Sequence, residues 1–449
     1  MSAQAVEDQH SYVPIAPGDR NRTTLSINEL IIGRQSTMPI YDVNGVLLLA
    51  ENQLITTEIK ANLKNRVHGG TIQVDDADLS KLTLRQVEVK EVPRFPVDEA
   101  LCRRLDMILD NGLINVKNTG PSYKDQVVEH GCEAYDAEQR ERLLEQNAHN
   151  AQTLQSMLTD ATNGNLKDCD AIAVMAAQYL KEMAVDTENV LTSVIGNQVP
   201  GEVAASSLES ALLAMAIGIE MDFDADNIKS LGIAALTHDW GMAHVSPDLL
   251  ALPRKLSRVE RLEIERHPIY SMEMLQKVAS VPKIVPLIVY QVHERYNGTG
   301  YPRGRRGNSI PIFARIIAVA DIFISLTAPR PWRPAVTRYG AMECMLHHSR
   351  ERSLDPDVMR ALLRIQSLFP IGSFVTLSDG SVAQVIRANR NNYTQPILQL
   401  VQMADGSPAD PNAEGNVIDL GASELKVEQA LPTPGREEIP FSADLFDEY

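Results

Sequence analysis

Histidine and aspartate residues are concentrated in one segment of this chain, in an order that metal chemistry could use. Six of the ten histidines lie between positions 238 and 348. The informative motifs, in chain order, are Thr237-His238-Asp239-Trp240-Gly241, His267-Pro268, His293-Glu294-Arg295, Asn297-Gly298-Thr299-Gly300-Tyr301-Pro302 and Val319-Ala320-Asp321. Neutral imidazole and carboxylate are the ligands that a catalytic divalent metal takes from a protein. The segment therefore predicts a metal site.

The chemistry that such a set supports is phosphodiester hydrolysis. Two metals that share a hydroxide lower its pKa and aim it in line at phosphorus, while they neutralise the other phosphate oxygens. The site needs a bridging carboxylate flanked by imidazoles. Asp239 is the natural bridge, because it follows His238 at the end of an apolar helical pattern that can hold both side chains.

Each of these residues also has a purely structural interpretation. The His238-Asp239 pair could cap a helix, His267 could be a favourable cation at a helix end, and His293 could pair with its neighbour or with solvent. Asp321 interrupts an apolar run, where a carboxylate needs a partner or a metal.

Taken together, the five motifs resemble those of the HD-GYP branch of the HD metal-dependent phosphohydrolases, over roughly positions 200–370. The resemblance implies hydrolysis of cyclic di-GMP to linear pGpG or GMP through a metal-bound hydroxide. It also implies a divalent, binuclear centre of iron or manganese. By this resemblance the metal ligands are His238, Asp239, His267, His293, Asp321 and, as a candidate replacement, Glu202; His238 and Asp239 are catalytic, and the substrate-binding residues are Gly300, Tyr301, Pro302, Arg315 and Arg330. Either arginine could equally be an ordinary salt-bridge partner or an anchor for the loop.

The chain departs from the family pattern at several positions. Serines stand at 206 and 207, where the family has its opening histidine, and Val292, Met242, Asn297 and Ile324 replace a histidine, a lysine and two aspartates. Loss of a single outer-shell partner can cost ~10–100-fold in metal affinity or activity. A second interpretation therefore stays open, in which a degenerate domain acts as a cyclic di-GMP receptor or as a protein-interaction scaffold.

Three further histidines in this segment are not assigned to the predicted metal site. His244 lies on a loop where the family sometimes adds a ligand, and an exposed loop position is as plausible. The pair His347-His348 lies outside the motif words and is interpreted as surface.

Composition limits the class of protein. A formal net charge of −17 argues against general nucleic-acid binding, since phosphate backbones favour basic surfaces. Four scattered cysteines without a CxxC pair indicate free thiols in a reducing compartment. No run approaches the ~20 apolar residues of a membrane span. We expect a soluble cytoplasmic protein whose partners are a cyclic dinucleotide and other signalling proteins, with homodimer formation left open.

Apolar periodicity predicts a mainly α protein, with an HD-type helical bundle flanked by small β-rich modules. Asn44-Gly45 and Asp379-Gly380 separate short apolar runs and indicate hairpins. Ser257 and Glu260 have the spacing of a capping box, expected to start the helix that carries His267. The predicted segments are a flexible arm (1–23), an N-terminal β-rich module (24–96), connecting helices (97–197), the HD-GYP domain (198–370), a small β module (371–428) and an acidic disordered tail (429–449).

Overall fold

The structure is a computed structural model of the 449-residue chain. It describes residues 22–30, 34–67, 70–75, 78, 82, 99–111, 116–195, 202–254, 256–390, 392–411, 413 and 415–441. The chain divides into two compact units, Met1–Pro93 and Arg94–Tyr449.

In the described part of the first unit, the main elements are a four-stranded antiparallel sheet and a ten-residue helix. Its elements are β1 (Arg22–Ser26), β2 (Ile40–Asp42), β3 (Leu47–Leu49), α1 (Thr57–Arg66) and β4 (Thr71–Asp75), and the strand order is β1-β4-β2-β3. The predicted hairpin at Asn44-Gly45 joins β2 to β3, and Gly45 has a φ of 84°. The predicted arm is corrected at its end, because β1 already begins at Arg22; residues 1–21 lie outside the described part.

The second unit is mainly helical, which confirms the predicted fold class. Its helices are α2 (Glu99–Asp110), α3 (Ala137–Thr162), α4 (Asp170–Ser193), α5 (Val203–Glu220), α6 (Ala225–Thr237), α7 (Pro247–Leu250), α8 (Arg258–Ile264), α9 (His267–Gln276), α10 (Val285–Val289), α11 (Ile312–Thr327), α12 (Arg338–Arg350) and α13 (Pro356–Gln366).

Helix α5 lies at the centre of this unit and is buried along most of its length, packing against α6 and α11. Within the described residues it is also the one helix that is long and apolar enough to cross a membrane. Since 83% of its apolar window is buried inside the protein, it has the surroundings of a core helix.

Two expectations about the helices that carry histidines are corrected. The capping box at Ser257 and Glu260 is present, but the helix it starts, α8, ends at Ile264, and His267 begins the next helix. The apolar run from Pro282 predicts a helix that reaches Glu294, but the helix there, α10, ends at Val289 and His293 lies in a turn after it. Proline at the second position of α9 accounts for the break, because its ring favours the first turn of a new helix.

A five-stranded antiparallel sheet follows the helices. It contains β6 (Phe374–Leu377), β7 (Val382–Arg387), β8 (Ile397–Gln402), β9 (Val417–Asp419) and β10 (Val427–Leu431), in the order β10-β6-β7-β8-β9. The hairpin predicted at Asp379-Gly380 joins β6 to β7. The expected disordered tail is corrected in its first part: β10 extends to Leu431, and β11 (Glu438–Ile439) pairs in parallel with β5 (Ala335–Val336). Residues 442–449 lie outside the described part.

A buried ion pair joins the β module to the helices. Helix α4 is kinked at Asp186, whose φ of −154° and ψ of 94° are not helical. Arg387, at the end of β7, donates to both oxygens of this carboxylate over 3.0 and 2.9 Å. The two side chains are 2% and 3% exposed, so the pair is shielded from solvent.

Candidate metal centre

His238 is held in a fixed orientation at the end of α6. Its side chain is 1% exposed, and Nδ1 lies 2.7 Å from the carbonyl oxygen of Ala235. A ring that donates from Nδ1 to a carbonyl keeps its Nε2 lone pair for another partner. That Nε2 lies 3.4 Å from Oδ1 of Asp239 and 3.6 Å from Oδ1 of Asp321.

Two further histidines reach the same carboxylate oxygen. His267 places Nδ1 2.7 Å from the carbonyl oxygen of Ile264 and Nε2 3.2 Å from Asp239 Oδ1. His293 places Nε2 3.4 Å from the same oxygen and 2.8 Å from Nε2 of His267. Three imidazoles from separate elements therefore converge on Asp239, and Asp321 approaches from α11.

The residues present fit a divalent cation. Among the residues that the structure describes, His238 Nε2 and Asp239 Oδ1 are buried and no hydrogen bond of acceptable geometry satisfies them. Ligand atoms of His238, Asp239 and His293 all lie within 4.8 Å of one another. Orphaned buried acceptors of this kind are costly without a partner, and imidazole nitrogen with carboxylate oxygen suits zinc, iron or manganese.

The electrostatics of the cluster follow from its burial and its close charges. Burial disfavours the charged form of Asp239, but the charge of His238 and the contacts of His267 and His293 outweigh it and lower the pKa of this carboxyl well below its usual value. Burial also disfavours the charged form of His238, yet Asp239 and Asp321 raise its pKa to about 9. For His293, burial and the charge of His267 lower the pKa to about 4. The two carboxylates that raise the pKa of His238 would equally favour a metal cation beside its Nε2.

Two glycines allow the close approaches that assemble the centre. A Cβ added at Gly241 would lie 1.9 Å from the carbonyl oxygen of His267, so glycine is required where the segment after Asp239 meets α9. A Cβ added at Gly300 would lie 2.4 Å from the carbonyl oxygen of His293. Both contacts bring backbone against backbone, which larger residues prevent.

The Gly-Tyr-Pro loop covers His293. The N–H of Tyr301 donates to the carbonyl oxygen of His293 over 3.1 Å, and the two rings are parallel with centroids 5.1 Å apart. Pro302 is buried. The loop thus lies beside the histidine cluster, where the sequence predicted a substrate-binding element.

Sequence reasoning did not find the residue that anchors this loop. The carboxylate of Glu294, 2% exposed, accepts hydrogen bonds from the N–H groups of Arg303 and Arg305 over 2.7 and 2.9 Å. The available signal was an acidic residue directly after a candidate ligand, followed by a loop rich in glycine and arginine. Bonds from backbone N–H groups to a buried carboxylate are among the stronger ones.

The predicted arginines and Glu202 have other surroundings. Arg315 forms an ion pair with Asp355 and donates from Nε to the carbonyl oxygen of Ile310 over 3.0 Å, which corresponds to the salt-bridge alternative. Arg330 donates to the hydroxyl of Ser325. Glu202 is exposed at the N-cap of α5 and is not a member of the group formed by His238, Asp239 and His293.

The interpretation of His348 as a surface residue is wrong. His348 was interpreted as surface, but it is 7% exposed, with the hydroxyl of Ser353 3.2 Å from Nδ1; only His347 is on the surface, with 47% of its side chain exposed. His244 is exposed on its loop, and its ring contacts that of Tyr270 edge to face with centroids 5.2 Å apart.

Three of the six departures from the family pattern are buried in the core. Val292 and Ile324 are 0% and 5% exposed and belong to the main hydrophobic cluster. Ser207 is 1% exposed, and within the described residues its hydroxyl makes no hydrogen bond. Asn297 accepts from the N–H and the hydroxyl of Thr299 over 3.1 and 2.7 Å, so it shapes the loop.

Comparison with known proteins assigns this part of the chain to a family. Residues 189–358 match the model of the HD domain, and they include every histidine and aspartate of the cluster. This segment is therefore an HD domain. Because Gly300-Tyr301-Pro302 follows the HD residues beside the same site, the chain is an HD-GYP domain protein.

Curated relatives cover part of the chain. A protein of Pseudomonas aeruginosa named cyclic di-GMP phosphodiesterase is 27% identical over 59% of this chain and 63% of its own length. The cyclic di-GMP phosphodiesterase response regulator RpfG of Xanthomonas campestris is 36% identical over 32% of this chain and 38% of its own length. 3'3'-cGAMP-specific phosphodiesterase 1 of Vibrio cholerae is 35% identical over 35% of this chain and 36% of its own length. The chain thus spans less than two thirds of the length of each.

A solved structure from Bdellovibrio bacteriovorus, described as a HDG"Y"P protein, is also similar. It is 15% identical, with a TM-score of 0.37, and the match covers 76% of this chain and 98% of that one.

Proposed function

We propose that this chain is a metal-dependent phosphodiesterase that hydrolyses a cyclic dinucleotide, with cyclic di-GMP as the substrate and linear pGpG or GMP as the product. The observation that carries the proposal is the convergence of His238, His267 and His293 on Asp239, with two buried acceptor atoms left without hydrogen bonds. The relatives named as cyclic di-GMP and 3'3'-cGAMP phosphodiesterases support this substrate class. A cytoplasmic location and signalling-protein partners belong to the same proposal.

In the proposed reaction, His238, Asp239, His267, His293 and Asp321 hold a divalent metal, taken to be a binuclear iron or manganese centre. When bound, the metal activates water and neutralises phosphate charge. The carbonyl oxygens of Ala235 and Ile264 keep the Nε2 atoms of His238 and His267 directed at the centre. The neighbouring imidazoles hold the pKa of the Asp239 carboxyl well below its usual value, so its charged form would be available to bind the metal.

The loop residues position the substrate beside that centre. Tyr301 presents an aromatic face next to His293, and a base or ribose can pack against such a face. The carboxylate of Glu294 anchors the backbone of the loop, because it accepts hydrogen bonds from the N–H groups of Arg303 and Arg305. We propose that Gly300, Tyr301 and Pro302 contact the substrate, whereas Arg315 and Arg330 act by supporting the surrounding helices.

A second function, a receptor or scaffold without turnover, is favoured by one specific observation. Val292 stands where the family has a histidine, and it is fully buried in the hydrophobic core. It supplies no ligand, and Ser206 and Met242 supply neither an imidazole nor a phosphate-binding cation. In this alternative the chain binds the cyclic dinucleotide but does not cleave it.

The test is turnover by the full chain loaded anaerobically with Fe²⁺ or Mn²⁺, with cyclic di-GMP and 3'3'-cGAMP as separate substrates. We expect metal-dependent cleavage of cyclic di-GMP and at least a 100-fold loss of rate in Asp239→Ala, since that change removes the carboxylate that all three imidazoles approach. Asp248→Ala is the matched control, because Asp248 is exposed on α7, and it should retain the wild-type rate.

Three other results would be informative. Cleavage of 3'3'-cGAMP alone would change the substrate and keep the enzyme. Binding of cyclic di-GMP without cleavage under either metal would establish the receptor. Equal rates in Asp239→Ala and Asp248→Ala would overturn the proposed centre.

A further inference from the structure

A second cleft, with a volume of about 500 Å³, shares no residue with the His238 cluster. Three parts of the second unit line it: the segment before α3, the helices α4, α5 and α13, and the β module after β7. Sites that hold small organic molecules typically have volumes of ~300–1,000 Å³, so this cleft is large enough for a ligand of nucleotide size.

Two cations that line the cleft share one carboxylate. Lys124 Nζ and Arg364 Nη1 lie 3.0 and 3.4 Å from the same oxygen, Oε1 of Glu220. The Glu220 side chain is 3% exposed, while those of Lys124 and Arg364 are 28% and 54% exposed. One buried carboxylate therefore pairs with two positive charges that solvent can still reach.

A third cation also lines the cleft. Arg390 is 27% exposed and pairs at 3.2 Å with Glu129, whose own side chain is 75% exposed. An ion pair this exposed contributes ~0–1 kcal/mol, so Arg390 can exchange Glu129 for a stronger anion. Arg387 also lines the cleft, but its guanidinium is committed to Asp186.

Acidic residues line the cleft as well. Glu188 is 16% exposed and lies 3.4 Å from Arg387. Asp419 accepts from the N–H of Gly421 over 2.7 Å. The lining thus holds four basic residues, Lys124, Arg364, Arg387 and Arg390, and four acidic ones, Glu129, Glu188, Glu220 and Asp419. In a chain with a net charge of −17, this even balance makes the cleft less acidic than the protein as a whole.

We propose that this cleft binds the phosphate group of a nucleotide-sized organic phosphate through Lys124, Arg364 and Arg390. Guanidinium groups match phosphate oxygens in pairs, and a lysine adds a point charge. The remaining volume of the cleft accommodates the organic part of the ligand. The cleft lies where the β module meets the helices.

The test is calorimetric titration of the full chain carrying Asp239→Ala, so that ligands held by the histidine cluster do not contribute. The probes are GMP, guanosine and inorganic phosphate. We expect GMP to bind, guanosine to bind at least 10-fold more weakly, and Arg364→Gln or Arg390→Gln to weaken GMP binding about 10-fold. Both variants should fold, because Lys124 still pairs with Glu220 in the first and Glu129 is exposed in the second.

Arg360→Gln is the matched control. Arg360 lies one turn earlier on α13, is 65% exposed, and pairs with Asp357 outside the cleft, so its loss should leave GMP binding unchanged. If inorganic phosphate binds as tightly as GMP, the site is one for phosphate alone and the nucleotide-sized ligand is overturned. Absence of binding by all three probes, or equal weakening by Arg360→Gln and Arg364→Gln, would overturn the site itself.

Discussion

At the scale of single residues, the candidate metal centre depends on residues that do not themselves bind the metal. Gly241 permits the contact between the segment after Asp239 and the start of α9. Its N–H also donates to the hydroxyl of Ser271 over 2.6 Å. Glu294 plays the corresponding part for the Gly-Tyr-Pro loop. These contacts set the distances between ligand atoms, and a displacement of about 1 Å can cost ~100-fold in rate.

Gly241→Ala should separate Asp239 from His267. The added Cβ would meet the carbonyl oxygen of His267 at 1.9 Å, so one segment must move, and overpacking of this kind costs ~1–3 kcal/mol. We expect Mn²⁺ affinity to fall at least 10-fold, measured by titration calorimetry, and the melting temperature to fall with it.

Gly120→Ala is the control for that substitution, because a Cβ there would make only an ordinary contact of 3.7 Å with Asp224. It should keep the metal affinity of the wild type. An unchanged affinity in Gly241→Ala would show that the ligand geometry tolerates movement of this segment.

At the scale of secondary-structure elements, the kink in α4 and the end of β7 form one structural joint. Asp186 leaves the helical conformation, and Arg387 satisfies its carboxylate with two hydrogen bonds. Burial disfavours the charge of Arg387, but the hydrogen bonds and charge of Asp186, with the charge of Glu188, raise the pKa of its guanidinium. The β module is thereby attached to the helix that leads into the HD domain.

Arg387→Met should destabilise the second unit strongly. Removing one partner of a buried pair leaves an uncompensated charge and costs ~3–5 kcal/mol, here at Asp186. The measurement is urea unfolding, with limited proteolysis to show whether the β module detaches.

Arg390→Met is the comparison, since its partner Glu129 is 75% exposed. We expect a loss of less than ~1 kcal/mol for this change. Similar losses in the two variants would mean that the buried joint contributes no more than a surface pair.

At the scale of the whole molecule, stability depends on groups that are buried without charge. His348 lies beneath the surface of the second unit, where burial and the charges of Arg295 and His347 lower its pKa to about 4. The net charge of −17 favours a dispersed protein near neutral pH, and acidification removes that charge while it also protonates such histidines.

The pKa of His348 predicts a loss of stability in mild acid. An unfolded histidine takes up a proton near pH 6.5, while the folded one resists until the pH nears about 4, so the unfolded state binds more protons in between. The contribution of His348 is therefore fully present above pH 6.5 and is lost as the pH falls towards 4. Since solvent screens part of this shift, we expect about 1–2 kcal/mol.

Unfolding measured in urea between pH 7.5 and 4.5 checks this. His348→Gln should show a shallower decline than the wild type, whereas His347→Gln, at an exposed position, should follow the wild type. Parallel curves for wild type and His348→Gln would contradict the prediction.

Much of the local structure could be predicted from short stretches of sequence. The turns at Gly45 and Gly380 and the capping box at Ser257 are present as expected, because each depends on residues only a few positions apart. Helix α6 ends at Thr237, directly before the His238-Asp239 pair, as the apolar helical pattern predicted. The HD-GYP motifs were recognisable for the same reason, because their spacing is a property of the chain alone.

Only the tertiary structure decided which side chains meet. His293 lies in a turn, His348 is buried, and Arg315 pairs with Asp355, forty residues further along the chain. The hold of Glu294 on the loop, and the cleft between the β module and α13, likewise depend on segments distant in sequence. Burial and long-range pairing arise when the helices and sheet pack together, and no periodicity within a short segment encodes them.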